Sequence, residues 1–253
     1  MYPNITFLYK DKKMSVFAIA DLHLSTLKST DKSMEVFGKR WDGYISRIEK
    51  NWRHLVSVSD TVVIPGDVSW ALSLEEAESD LKFLDSLPGK KIIGKGNHDF
   101  WWATMRKHEA FFERHGIKTV SFLFNNAHEA DSCIIAGTRG WYLEEDAKNA
   151  PDNADFKKLM NREMLRLKTS LACAKPLSEQ SGKPIAAFMH FPPFWNEKES
   201  EGLIELLLEY GVKRVYFGHI HGNYSVPPSF EYKGIEMNII SADYLGFIPK
   251  IVK

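Results

Sequence analysis

The chain has 253 residues, 44% of them apolar, which is enough for one large domain or two small ones with an ordinary buried core. Lysine plus arginine balance aspartate plus glutamate at 33 each, so no overall charge draws the chain to nucleic acid or to an anionic membrane. No apolar run approaches the ~20 residues that a spanning helix needs.

Residues 1–13 are polar, lack an apolar signal core and end in Lys10-Asp11-Lys12-Lys13. They are expected to form a flexible extension ahead of a single domain over 14–253, in a soluble, cytoplasmic protein. Ser15 to Ala20 reads as the first strand, and Leu24 to Lys39 as an irregular polar loop. From Trp41, the apolar residues Tyr44, Ile45, Ile48, Trp52, Leu55 and Val56 have helical spacing. His54 lies off that stripe and reads as a surface residue. Thr61 to Ile64 is a β-branched run that Pro65-Gly66 stops. Ser73 and Glu76 form a capping-box pattern ahead of Leu74, Ala77, Leu81 and Leu84, and Pro88-Gly89 ends that helix. Lys90 to Ile93 follows as a strand, so the segment is a βαβ unit with parallel strands. Thr104 to His115 reads as a helix that Gly116 caps.

Thr119 to Phe124 and Ser132 to Ala136 read as short strands, and the brief link between them predicts antiparallel pairing. Glu144 to Asp155 is acidic and poor in apolar residues, an expected surface loop or lid. Phe156, Leu159, Met160, Met164, Leu167 and Leu171 mark a long helix, with the methionines read as core. Ile185 to Met189 is a strand, Glu201 to Tyr210 a helix closed by Gly211, and Val212 to Phe217 a strand. Phe230 to Tyr232 and Ile235 to Ile240 form a hairpin around Lys233-Gly234. The reading is α/β: two sheets with helices outside both. Cys133 and Cys173 lack metal-type spacing and are expected to be buried free thiols in a reducing compartment.

One grammar recurs along the chain. An apolar run ends in polar residues of metal-ligand type at Asp21-Leu22-His23, at Gly66-Asp67, at Gly96-Asn97-His98-Asp99, at His190 and at Gly218-His219-Ile220-His221. Sheets of α/β proteins present functional side chains at the carboxyl ends of their strands. Alternate residues of an extended segment point the same way, so Asp21 with His23, and His219 with His221, can each face one site. Crowded carboxylates repel, and a bound cation relieves that repulsion. Mixed oxygen and nitrogen donors suit manganese, iron or zinc better than calcium. The donors are too many for a four-coordinate zinc and suit two divalent metals sharing a carboxylate, a device for phosphoryl transfer to water.

In this order, the motifs resemble those of the calcineurin-like metallophosphoesterase superfamily. The resemblance runs from Asp21 to His221. It implies a four-layer fold, a two-sheet mixed β sandwich flanked by helices on both sides. It further implies that Asp21, His23 and His221 hold one metal, that Asn97, His190 and His219 hold the other, and that Asp67 bridges them. A metal-bridging hydroxide would attack phosphorus in line, with His98 helping to protonate the leaving oxygen. Two departures stand out. Trp70 occupies the position where the family often has a second aspartate that orients this histidine. Asp99 stands where glutamate is more usual. The sequence Trp70-Ala71-Leu72 also lacks the arginines of the protein serine/threonine phosphatase branch, so the chain looks closer to small bacterial-type phosphohydrolases.

Arg139, between Gly137 and Trp141 after a strand, reads either as a phosphate-binding guanidinium or as a surface salt-bridge residue. Trp101 and Trp102 line a substrate pocket or simply pack. The expected activity is hydrolysis of a small phosphate ester, with no membrane or nucleic-acid partner. A phosphodiesterase or nucleotide-diphosphate-type hydrolase is the enzymatic alternative, and a metal-free scaffold of the same fold the non-enzymatic one.

Overall fold

The computed structural model describes residues 14–26, 33–143 and 156–253. The expected extension at 1–13 and the acidic stretch at 144–155 lie outside the described residues. The first half of the chain alternates strands and helices: β1 (Val16–Ala18), α1 (Tyr44–Leu55), β2 (Thr61–Ile64), α2 (Glu78–Ser86), β3 (Lys90–Ile93), α3 (Met105–His115) and β4 (Val120–Phe122). Next come β5 (His128–Glu129), β6 (Ile134–Thr138), the long α4 (Phe156–Ser181), β7 (Ile185–Met189), the short strands β8 (Phe194–Trp195) and β9 (Lys198–Glu199), and α5 (Glu201–Glu209). Strands β10 (Arg214–Phe217), β11 (Ser229–Tyr232), β12 (Ile235–Ile239) and β13 (Lys250–Ile251) complete the described strands, and two short 3-10 helices, Met34–Phe37 and Lys39–Trp41, precede α1 where an irregular loop was expected.

These strands form two large mixed sheets, ordered β13-β1-β2-β3-β4 and β11-β12-β10-β7-β6-β5. The strands β1 to β4 run parallel, as do β6, β7, β10 and β12. Both faces of each sheet are covered, which explains the near-continuous apolar runs. Along β2, Val62 and Ile64 pack against Ile48, Trp52 and Leu81 of the outer helices, while Val63 points inward. On the other side, α4 and α5 lay Leu167, Leu171, Leu203 and Leu207 onto the second sheet. Between the sheets lie Ala18, Val63 and Ile92 from one and Ile135, Phe188 and Tyr216 from the other. The layers are therefore helix, sheet, sheet, helix. Beyond β1 and β12 the two sheets meet: the Ala20 N–H donates to the Ile240 carbonyl at 2.8 Å and the Ala242 N–H to the Ala20 carbonyl at 2.9 Å. This junction adjoins the strand ends that carry the motifs.

Three expectations need correction. The segments 119–124 and 132–136 do not pair. Strand β4 lies parallel to β3, while β6 lies in the other sheet, parallel to β7 and antiparallel to β5. The intervening stretch crosses the sandwich, with Leu123 and Cys133 both in the inter-sheet core. Helix α2 begins at Glu78, later than the capping box implies. Ser73 Oγ does accept the Glu76 N–H, but the Glu76 carboxylate turns to the Leu72 N–H, so the pair closes a turn ahead of the helix. Cys133 is a buried free thiol, whereas Cys173 is free and exposed. The buried stripe of α4 runs through Leu167, Leu171 and Ala174, and Cys173 falls off it. Among the described residues, no helix is long and apolar enough to cross a membrane.

Candidate metal centre

Four of the expected site residues sit in the left-handed backbone region: Asp21 at φ 58°, His23 at 44°, Asp67 at 50° and His219 at 67°. Such conformations cost on the order of 1–3 kcal/mol each and persist only where the surroundings hold them. Gly66, at φ 117°, makes the tight approach possible: a Cβ there would stand 2.7 Å from the Gly96 backbone and 2.8 Å from His190 Nδ1.

Asp67 is central. Its Oδ2 lies 3.6 Å from His23 Nε2 and 3.5 Å from His190 Nε2, and its Oδ1 accepts the His98 N–H at 2.8 Å. On one side, His221 Nε2 lies 3.4 Å from His23 Nε2 and 3.8 Å from Asp21 Oδ1. On the other, Asn97 Oδ1 lies 2.6 Å from His190 Nε2 and 3.2 Å from His219 Nδ1. Two groups, Asp21 with His23 and His221, and Asp21 with Asp67 and His190, each bring their donor atoms within 4.8 Å of one another. All seven expected ligand residues thus converge, drawn from the ends of strands in both sheets.

The donor chemistry fits divalent cations. Burial pushes the Asp21 carboxyl up to about 6, and burial with the nearby Asp99 and Asp21 charges pushes Asp67 well above the usual carboxylate range. Burial likewise holds His23 and His190 well below the ordinary imidazole value, and His219 at about 3. The ring nitrogens His23 Nδ1 and His190 Nδ1 are buried with no hydrogen-bond partner among the described residues. Neutral imidazoles offer ring lone pairs, and the raised carboxyl values mark negative charge without nearby compensation, an environment that a bound positive ion stabilises.

A supporting shell holds these side chains. The Asp99 carboxylate accepts the N–H groups of Gly96, Asp67 and Val68 and the Trp101 indole N–H, tying the two central turns together. The Tyr44 hydroxyl donates to the His23 carbonyl at 2.7 Å. Trp70 stacks on the His23 ring, centroids 4.8 Å apart, and lies 4.5 Å from the His98 ring. The His98 ring therefore packs against both Trp70 and His23. Burial, with the neighbouring His221, lowers the His98 pKa.

Sequence reasoning missed Asp243. It accepts hydrogen bonds from His221 Nδ1 at 2.8 Å, the Tyr224 hydroxyl at 2.9 Å and the Gly222 N–H at 3.2 Å. Burial works against a charged His221 ring, yet the bond to Asp243 and the Asp21 charge raise its pKa overall. The available signal was a sixth apolar run, Ile239-Ile240, ending in an acid three residues on. His23, Asp67, His98, His219 and His221 open onto a cleft of about 490 Å³ whose other wall is Met34, Phe37, Trp41 and Trp70.

Arg139 is mostly buried, not a surface residue. Its carbonyl accepts the N–H groups of His190 and Phe191, its guanidinium lies over Trp141 at 4.4 Å, and Nη2 stands 3.9 Å from Glu163 Oε1. Trp101 packs in the core, whereas Trp102 lines a second pocket. His54 is exposed and Met160 is in the core beneath α4, both as expected.

The carboxylate, imidazole and amide donors converge on a candidate metal site at the strand ends of a two-sheet α/β sandwich. The family profile of calcineurin-like phosphoesterases matches residues 14–223, and the chain belongs to that family. Among solved structures, it is similar to a phosphopantetheinyl hydrolase of Mycobacterium tuberculosis, with 15% identity, a TM-score of 0.54, and coverage of 95% of this chain and 96% of that one. It is also similar to a protein of Thermus thermophilus, with 10% identity, a TM-score of 0.51, and coverage of 95% and 98%. At these identities the likeness speaks for the fold. No curated protein sequence matches the chain.

Proposed function

We propose that the chain is a dinuclear metal-dependent phosphoesterase that hydrolyses a small phosphate ester. The observation that supports this reading most is the convergence of six donor residues around Asp67, with a donor set on each of its two sides. Asp21, His23 and His221 would hold one cation, Asn97, His190 and His219 the other, and Asp67 would bridge them. Manganese or iron, or alternatively zinc, suits this mixture of oxygen and nitrogen donors. When bound, such a pair supplies Lewis-acid stabilisation of phosphoryl oxygens and makes water a competent nucleophile at neutral pH.

The protein's own residues do the rest. Asp99 fixes the backbone of both central turns, so Asp67 and Asn97 keep their relative placement. Asp243 holds the His221 ring through Nδ1 and leaves Nε2 facing the centre, the usual way an outer carboxylate orients a ligand histidine. His98 faces the same cleft and donates a proton to the departing oxygen. Arg139 adds a cation beside His190 that favours an anionic substrate.

The test is elemental analysis of purified protein together with a screen of phosphate mono- and diesters. Chelation should abolish hydrolysis and manganese should restore some of it. Asp67→Ala should lose both metal occupancy and activity. A variant retaining two metals per chain would remove Asp67 from the bridging role.

A further inference from the structure

Beside the metal centre lies a second pocket, of about 420 Å³. Two stretches of chain serve both places. The loop Lys95-Gly96-Asn97 gives Lys95 to the pocket and Asn97 to the centre. Thr138 and Arg139 line the pocket, while the Arg139 carbonyl accepts the His190 N–H. The lining holds Lys95, Arg139, Arg162 and Arg166 against one carboxylate, Glu163.

That carboxylate is fully buried and already engaged. It accepts from Arg166 Nη1 at 2.6 Å and from the Thr138 hydroxyl at 2.8 Å, with Arg162 Nε at 3.8 Å and Arg139 Nη2 at 3.9 Å. Lys95 makes no hydrogen bond or ion pair among the described residues, and Arg139 Nε is buried without a partner. Among the residues that line this concave site, four cations face one carboxylate, while the buried Asp99 and Asp67 carboxylates act on Lys95 and Arg139 from outside the lining. Repulsion among the cations is relieved by an anion, and guanidinium forks match phosphate oxygens bidentately.

We propose that this pocket binds a second phosphate group of the substrate, held by Lys95, Arg139 and Arg166 while a first phosphate is hydrolysed at the metal centre. The substrate class is then a phosphate ester bearing two phosphates. The substrate half of this inference rests on the phosphoesterase reading; the anion site itself does not.

Two measurements test it. In the first, metal-stripped protein is titrated with inorganic pyrophosphate by calorimetry. Wild type should bind, Lys95→Ala should bind roughly 10-fold or more weakly, and Lys95→Arg should recover most of the affinity. Absence of binding to wild type, or binding indifferent to Lys95, overturns the proposal. In the second, metal-loaded enzyme is compared on butyl phosphate, butanediol bisphosphate and butyl diphosphate. Wild type should prefer one of the doubly phosphorylated compounds, and which one it prefers tells a distant second phosphate from an adjacent one. In Lys95→Ala and Arg166→Ala the kcat/KM ratio of that compound to butyl phosphate should fall roughly 10–100-fold, mainly through KM. No preference in wild type, or equal losses on both esters in the variants, overturns the proposal. If no ester is hydrolysed but Lys95-dependent pyrophosphate binding persists, the anion site stands and the phosphoesterase reading falls.

Discussion

His98 and Asn97 are neighbours in one turn, yet their side chains meet different partners. Asn97 reaches His190 and His219 through its amide oxygen, while the His98 ring lies against Trp70 and His23 and opens to the cleft. A general acid contributes about 10²–10⁴-fold, and most where the departing oxygen is a poor leaving group. So His98→Asn should slow hydrolysis of an alkyl phosphate far more than that of a nitrophenyl phosphate, with metal content unchanged. Equal losses on the two esters would take the acid role away from His98. Away from the centre, His108 is fully buried, stacked on Phe122 at 4.5 Å, and accepts the Ala103 N–H through Nε2. Burial lowers its pKa from the ordinary 6.5 to about 4. The unfolded chain therefore binds more protons than the folded one between those values. Stability is full above pH 6.5 and declines as the pH falls toward 4, by at most about 3 kcal/mol from this group. Urea unfolding at pH 7 and pH 5 should show a smaller difference for His108→Gln, which keeps an acceptor but does not titrate; an unchanged difference would clear His108. The metal-type residues were legible because each motif follows its own apolar run. Asp243 was not, because it stands three residues beyond the end of its apolar run, and its bond to His221 joins residues from different parts of the chain. The lowered pKa of His98 was not legible either, since it depends on burial and on His221, which lies far away in sequence.

At the scale of elements, periodicity found the five described α-helices and the strands of four or more residues, but not the 3-10 turns Met34–Phe37 and Lys39–Trp41, which fall on or beside the stretch read as an irregular loop and are too short to carry a period. The full burial of Val62, Val63 and Ile64 in β2 and the stripe on α4 agree with the β-branched run and the helical spacing read from the sequence. Partner choice was another matter. Nothing local distinguishes a strand that turns back on its predecessor from one that crosses to another sheet, and β4 and β6 take the second course. Two-residue strands such as β5 and β13 carry no period to read. The placement of β6 depends on α4: Ser170, fully buried, accepts the Gly137 N–H at 2.8 Å and donates to the Asn126 carbonyl at 2.7 Å. One hydroxyl thus ties the helix to the strand and to the segment that crosses the sandwich. Ser170→Ala should strand both backbone groups and destabilise the fold by about 1–3 kcal/mol. Chemical denaturation should show a lower midpoint with an unchanged slope. A midpoint equal to wild type would mean that water or a local shift satisfies both groups.

Across the whole molecule, the centre joins two sheets that otherwise touch mainly through an apolar interface. Asp21, His23, Asp67 and Asn97 come from the ends of the first sheet's strands, and His190, His219 and His221 from the second's. Without cations, folding brings buried carboxylates and unpartnered imidazole nitrogens together across that seam. Ligands that bind the folded chain and not the unfolded one stabilise it by mass action, about 2.7 kcal/mol at a concentration 100-fold above Kd. For a chain of this length, each kcal/mol raises Tm by roughly 2–4 °C. Scanning calorimetry of chelator-treated protein should therefore show a Tm several degrees below that of manganese-loaded protein. Asp67→Ala should lose most of that difference, because removing the bridge weakens both half-sites. His54→Ala, on the exposed face of α1, should keep it. A manganese shift of equal size in Asp67→Ala would place the stabilising cation elsewhere, and no shift in wild type would mean that the seven donors form a polar junction between the sheets and not a metal centre.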